Sequence, residues 1–297
     1  MTRHVFDMSR HSYDKVRVLI AEPDKTLRET IEQDLISLGF KEIVSTNVVS
    51  QVKTAVLSGA VDLLICDTSL KDGCMVEIIK NLRLGVYGED IFPVVITLLS
   101  NPTKRLVHEV IDCGSDAILV KPVALETLHQ RILELTAKRE RFVVTSDYIG
   151  PDRRKKQREG CMVIPKTEVP NPLRNRVTGY LNDAEFQSYV CRVSEIINEM
   201  RIKRQSYHMG YLVEKIQPAY EASPESCELP SDWPYLVYTA KDLAHRVKSS
   251  RFTSVKGMTA TLINFVDDIE LSGALAAHDF RLLSHLTEGI SRGCGSD

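Results

Sequence analysis

Long apolar runs are missing from this 297-residue sequence: none approaches the roughly 18 residues that a membrane-crossing helix needs. The first fifteen residues, MTRHVFDMSRHSYDK, also lack the apolar core of a secretory signal. Both absences set the expectation of a soluble, cytoplasmic chain with no membrane contact. Cysteine is scarce and irregularly placed. Seven is an odd number that leaves no fully paired disulfide framework, and no spacing suits a zinc site, so Cys66 and Cys113 read as reduced thiols. Charge of one sign is lacking too. With 38 basic against 40 acidic residues, the net charge of −2 exerts no overall pull toward nucleic acid. There is no repeat of solenoid length and no nucleophile triad, so neither a repeat array nor an enzyme is expected. What is abundant is core: 43% of the residues are hydrophobic, over a length that suits two domains.

From Val16 to about Lys138, short aliphatic runs alternate with amphipathic stretches, the rhythm of a parallel sheet wound with helices on both faces. The pattern predicts strands at Arg17–Ala21, Ile43–Thr46, Leu63–Cys66, Val94–Leu98 and Ala117–Val120. Helices are predicted at Thr26–Leu38, Gln51–Ser58, Val76–Arg83, Lys104–Cys113 and Ala124–Arg139. Asp24 is placed to cap the first of them, and Gly39 to stop it. Five strands in about 125 residues fit a flavodoxin-like order. Residues 1–15 then form an N-terminal extension and 16–141 the α/β domain. Residues 142–181 carry the basic run Arg153, Arg154, Lys155, Lys156 and Arg158 followed by Pro165, Pro170 and Pro172, which reads as an extended linker. Strand patterns are absent from 182–291. Helices are expected there at Ala184–Arg204, Ser206–Ile216, Trp233–Ser250, Met258–Leu271 and Phe280–Ile290, with a break at 218–232, giving an all-α bundle. Residues 292–297 are left as a tail.

In an open parallel sheet, chemistry collects at the carboxyl ends of the strands. Those ends carry Glu22 with Asp24, then Asp67, then Thr97 or Ser100, then Lys121. Carboxylates with one lysine suit a hard cation such as Mg²⁺, which favours oxygen ligands. A screened Asp67 is then a nucleophile toward phosphorus. The stretches VLIAEPDKTLRETI (18–31), VDLLICDTSLKDG (61–73), FPVVITLLS (92–100) and GSDAILVKPV (114–123) resemble the receiver domain of two-component response regulators. The resemblance implies that Asp67 is the phosphoacceptor, that Glu22 belongs to an acidic Mg²⁺ pocket with Asp24 and Asp67, and that Lys121 contacts the phosphoryl group. Thr97 is taken as the hydroxyl contact. The chain departs from the family in having Pro23 where a second adjacent acid is usual, which predicts weak Mg²⁺ binding. It also has Ile118 where an aromatic is usual, and Leu98 nearest the expected hydroxyl position.

In YLVYTAKDLAHRVKSSRF (235–252), Leu236, Ala240, Leu243 and Val247 form one apolar stripe, and His245 points away from it. Lys241, Lys248 and Ser249 share the histidine's face. Such surroundings allow an imidazole to attack phosphorus while cations hold the phosphoryl oxygens, and AHRVKSS is similar to the motif of histidine-containing phosphotransfer domains. The expectation is a response regulator in a phosphorelay. A sensor histidine kinase or phosphotransfer protein would charge Asp67, and the helical domain would bind a downstream protein. Two alternatives stand beside it: a phosphotransfer module carrying phosphate on His245 with Lys248, and an adaptor whose receiver works without phosphorylation.

Overall fold

Five of the short apolar runs become the strands of one parallel sheet. The computed structural model describes residues 12–154, 164–221, 229–273, 275 and 277–295. Along the chain they form β1 (Arg17–Ala21), α1 (Lys25–Ser37), β2 (Glu42–Thr46), α2 (Val49–Leu57) and β3 (Leu63–Asp67). A two-stranded ribbon of β4 (Ser69–Leu70) and β5 (Gly73–Cys74) leads into α3 (Met75–Arg83). Then come β6 (Val94–Leu99), α4 (Lys104–Asp112), β7 (Ala117–Val120) and α5 (Leu125–Ala137). The sheet order is β2-β1-β3-β6-β7, every pairing parallel. This is the flavodoxin-like arrangement the sequence predicts.

Both faces of the sheet are covered, which is why its central strands read as unbroken apolar runs. Ile20, Leu63, Ile65, Val94, Ile96 and Leu98 pack with Ile31 and Leu35 of α1 and with Leu128 and Ile132 of α5. Leu19, Leu64, Cys66, Val95 and Leu99 pack on the other face with Val52, Ile79 and Val110 of α2, α3 and α4. The N-terminal extension contributes to the first core, because Tyr13 is buried and stacks on Phe40 with ring centroids 4.4 Å apart. Residues 1–11 of that extension lie outside the described residues.

The segment read as an extended linker is largely built into this first unit, and here the sequence reading is corrected. Phe142–Val144 forms β8, Ile149–Pro151 forms β9 and Lys166–Thr167 forms β10, together a small antiparallel sheet of order β10-β8-β9. Pro172–Thr178 forms α6, with Asn171 as its N-cap and Pro172 in the first turn. Leu173 and Val177 of α6 enter the α1/α5 core, where burying each side chain stabilises by about 1.5–3 kcal/mol.

A buried ion cluster fastens β8 in place. Asp116 takes Arg83 Nη2 at 2.8 Å, Arg139 Nε at 2.8 Å and the Val95 amide at 2.8 Å. Phe142 sits beneath both guanidiniums, whose carbons lie 5.3 and 4.8 Å from its ring centroid. Arg153, first of the basic run, donates to the carbonyl of Ser115, so it is a structural contact. Lys155, Lys156 and Arg158 lie outside the described residues.

The chain divides into two units, Met1–Ser194 and Glu195–Asp297. The helical region comprises α7 (Asp183–Glu221), α8 (Trp233–Lys248), α9 (Lys256–Ser272) and α10 (Ala277–Gly295). The two helices expected between 184 and 216 are one. Buried Val190, Val193, Ile197, Arg201, Gln205, Met209, Val213 and Ile216 keep three- to four-residue spacing, and no breaker separates Arg204 from Ser206. The helix also passes Pro218, where a break was expected; residues 222–228 lie outside the description. The tail assigned to 292–297 is helical to Gly295, and Cys294 is buried in the second core with Trp233, Leu236, Leu243, Leu262 and Leu283.

Candidate functional site

The three parallel strands β1, β3 and β6 end in register, Ala21 beside Cys66 and Asp67 beside Leu98. That register brings side chains far apart in sequence to one rim. Asp67 is the last residue of β3 and only 4% exposed, and Glu22, just beyond β1, is fully buried. Between them lies Lys121, which follows β7 and whose side chain is 14% exposed. The Lys121–Pro122 peptide is cis.

Lys121 Nζ donates to Asp67 Oδ2 at 2.5 Å and to Glu22 Oε1 at 2.8 Å. Glu22 Oε2 is 2.7 Å from the same ammonium but outside hydrogen-bond geometry, and it has no hydrogen-bond partner. Asp67 Oδ1 accepts from the Ser69 amide at 3.0 Å and from Thr68 Oγ1 at 3.1 Å, while Ser100 Oγ donates to Oδ2 at 3.4 Å. Burial alone raises the pKa of Asp67, but Lys121, the Ser69 amide and the Thr68 hydroxyl outweigh it and hold the carboxyl below its ordinary value. The same balance works in reverse on Lys121, which burial lowers and Asp67 and Glu22 raise, to a net increase. Asp67 is thus an ionised, pre-oriented carboxylate.

Glu22, Asp67 and Lys121 meet as expected, whereas Thr97 does not join them. Thr97 is fully buried on the Cys66 side of the sheet, 2.5 Å from Ser115 Oγ. The hydroxyl that reaches the pocket from the end of β6 is Ser100, one residue past the strand. The Asp24 carboxylate also stands apart: it accepts from the Leu27 amide at 2.9 Å as the N-cap of α1 and the residue is exposed, while only its backbone amide reaches the pocket, donating to Glu22 Oε1 at 3.1 Å. Two contributors escaped sequence reasoning, Thr68 and Arg28. The Arg28 Nη1 donates to the Glu22 carbonyl at 2.6 Å; its signal was its place one helical turn after the capping residue.

The donor set does not make a full divalent-cation site. Pro23 offers no carboxylate, Asp24 is committed to the helix end, and the ammonium already lies between the remaining two acids. Among the described residues no group of three or more His, Cys, Asp or Glu side chains is placed to hold a metal ion.

Residues 18–133 match the model of the response regulator receiver domain family, and this part of the chain is a receiver domain. Among similar solved structures is the chemotaxis response regulator CheY4 of Vibrio cholerae, 20% identical over 39% of this chain and 95% of that one, with a TM-score of 0.36. Another is the receiver domain of a sensor histidine kinase from Pseudomonas aeruginosa, which holds a magnesium ion in its active-site cleft. It is 22% identical over 40% of this chain and 94% of that one, with a TM-score of 0.36. An orphan response regulator of H. pylori is 22% identical over 40% and 94%, with a TM-score of 0.35. No curated protein matches the chain. Among the described residues no helix is long and apolar enough to cross a membrane.

His245 lies on α8, exposed, with Lys248 and Ser249 also exposed one turn on. Lys241, one turn before it, is engaged by Asp267 at 2.8 Å and Glu270 at 3.3 Å from α9. The next residue, Arg246, is bound inward to Asp242 at 2.9 Å. Of the cations read around the histidine, Lys241 is therefore committed to α9.

Proposed function

We propose that this chain is a cytoplasmic two-component response regulator that accepts a phosphoryl group on Asp67 from a sensor histidine kinase or phosphotransfer protein. The observation that carries the reading is the ionised Asp67 held at a strand end by Lys121, Ser69 and Thr68. An Asp67 oxygen attacks the phosphorus of a phosphohistidine. The O–P bond forms as the P–N bond breaks, and the electron pair returns to the imidazole nitrogen, which takes up a proton. Lys121 then moves its hydrogen bond from Asp67 to a phosphoryl oxygen, and Ser100 offers a second donor. A magnesium ion sits in the active-site cleft of the Pseudomonas relative, but Glu22 and Asp67, with Lys121 between them, are not a donor set that fits one.

The functional receiver extends past residue 141 to the end of α6, and α7–α10 form the output region, which binds a protein partner. The second reading places a phosphoryl group on His245, supported by its exposure beside Lys248. Labelled acetyl phosphate or a labelled donor kinase, applied to the full chain, separates the two. The expected label is base-labile, lost in Asp67→Asn and kept in His245→Ala. Undiminished label in Asp67→Asn refutes the receiver chemistry; acid-labile label lost only in His245→Ala establishes the second reading.

A further inference from the structure

The acid pocket is already neutralised from within. Lys121 Nζ lies 2.5 Å from Asp67 Oδ2 and 2.8 and 2.7 Å from the two oxygens of Glu22. A divalent ion bridging one oxygen of each acid at about 2.0–2.1 Å would claim the same gap. Arg28 adds a second positive charge at this corner through its 2.6 Å hydrogen bond to the Glu22 carbonyl. Lysine and arginine together match the charge of one divalent ion. The third carboxylate such an ion would use is absent at Pro23 and turned outward at Asp24.

We infer that Lys121, supported by Arg28, is the resident counter-cation of this pocket, and that Asp67 takes a phosphoryl group without a divalent metal ion. The inference rests on the reading of Asp67 as acceptor. It gives Lys121 two successive roles. Before transfer it screens the nucleophile from Glu22, so that an anionic donor can approach. After transfer, when the carboxylate charge has moved outward onto the phosphoryl oxygens, the ammonium follows and Glu22 remains its second anchor. Arg28, fixed by the carbonyl and not by either carboxylate, stays in place throughout.

The test uses beryllofluoride, a phosphoryl mimic that coordinates an aspartate oxygen, on the full chain followed by fluorine NMR. The adduct is measured in magnesium-free buffer and in saturating Mg²⁺. The expected wild-type result is an equal adduct signal in both buffers. In Pro23→Asp, which supplies the missing carboxylate, Mg²⁺ should strengthen the adduct by about tenfold or more. Calorimetric Mg²⁺ titration of the unmodified proteins should show saturable binding in Pro23→Asp that the wild type lacks. A wild-type adduct that forms only with Mg²⁺ overturns the inference while leaving Asp67 as acceptor. A wild-type chain with no adduct in either buffer overturns the acceptor reading and the inference with it.

Discussion

Replacing Asp116 by alanine should strongly destabilise the first unit, and the structure allows the size of the effect to be worked out. Asp116 is buried between two guanidiniums that are themselves almost wholly buried, Arg83 at 1% and Arg139 at 3% side-chain exposure. Its carboxylate accepts four hydrogen bonds, from Arg83 Nη2, Arg139 Nε, Arg139 Nη2 and the Val95 amide. Removing it leaves two like charges facing each other over Phe142. Stranding buried charges in this way costs about 3–5 kcal/mol, and the orphaned Val95 amide adds about 1–3 kcal/mol. Carbonyl acceptors soften the loss: Gly114, Ile91 and Pro93 for Arg83, and Phe92, Pro93 and Pro170 for Arg139. The net expectation is about 4–6 kcal/mol, against a typical total of about 5–15 kcal/mol for a domain. Asp116→Asn, which keeps acceptor geometry without charge, should fall between the variant and the wild type.

The assay is urea unfolding read by hydrogen exchange in peptides covering β6 and β8–β9. The single tryptophan, Trp233, reports the helical unit separately in the same tube. Acid gives a second readout. Burial raises the Asp116 pKa, but Arg139 and Arg83 outweigh it and hold it below the ordinary value. A depressed carboxylate stabilises above its unfolded pKa and loses that contribution as pH falls through the folded value. The wild type should therefore lose stability below about pH 4, and Asp116→Ala should lack this part of the slope. Exchange midpoints for β8–β9 within about 1 kcal/mol of wild type, or an unchanged acid slope, would refute the reasoning.

Gly114→Ala should cost about 2–4 kcal/mol in thermal or urea unfolding, because φ is +93° and the new Cβ would lie 2.8 Å from the Ile149 carbonyl oxygen and from Arg83 Cγ; a neutral effect would mean that β9 does not approach there. Leu173→Ala should cost about 2–5 kcal/mol by opening a cavity in the α1/α5 core, and truncation after Arg141 should leave the receiver aggregated on gel filtration, whereas a monodisperse truncated protein would show 142–178 to be dispensable. Thr97→Val should cost about 1 kcal/mol through the Ser115 hydrogen bond and leave the beryllofluoride signal intact. Ser100→Ala should weaken that signal, and the reverse ranking would return Thr97 to the site.

By itself the sequence determined the five-stranded sheet and the meeting of Glu22, Asp67 and Lys121. Doubly covered strands write themselves as apolar runs, and parallel strands share one carboxyl-end rim, so order along the chain becomes proximity in space. The choice between Thr97 and Ser100 was beyond it, since a single step along a strand moves a side chain to the other face, and Thr97 proved to share the face of Cys66 and Ser115. Asp24 was legible as a cap, yet its separation from the acid pocket depended on where α1 begins in space. The segment after Arg141 misled for a different reason. Strands of two or three residues and a seven-residue helix between prolines are too short to show a period, and they hold only because tertiary contacts supply what local propensity does not. Phe142 is fixed beneath Arg83 and Arg139, and α6 by burial of Leu173 and Val177 among residues more than thirty positions away. Arg139, to the sequence only the last residue of a helix, became a buried charge because the fold brought Asp116 to it.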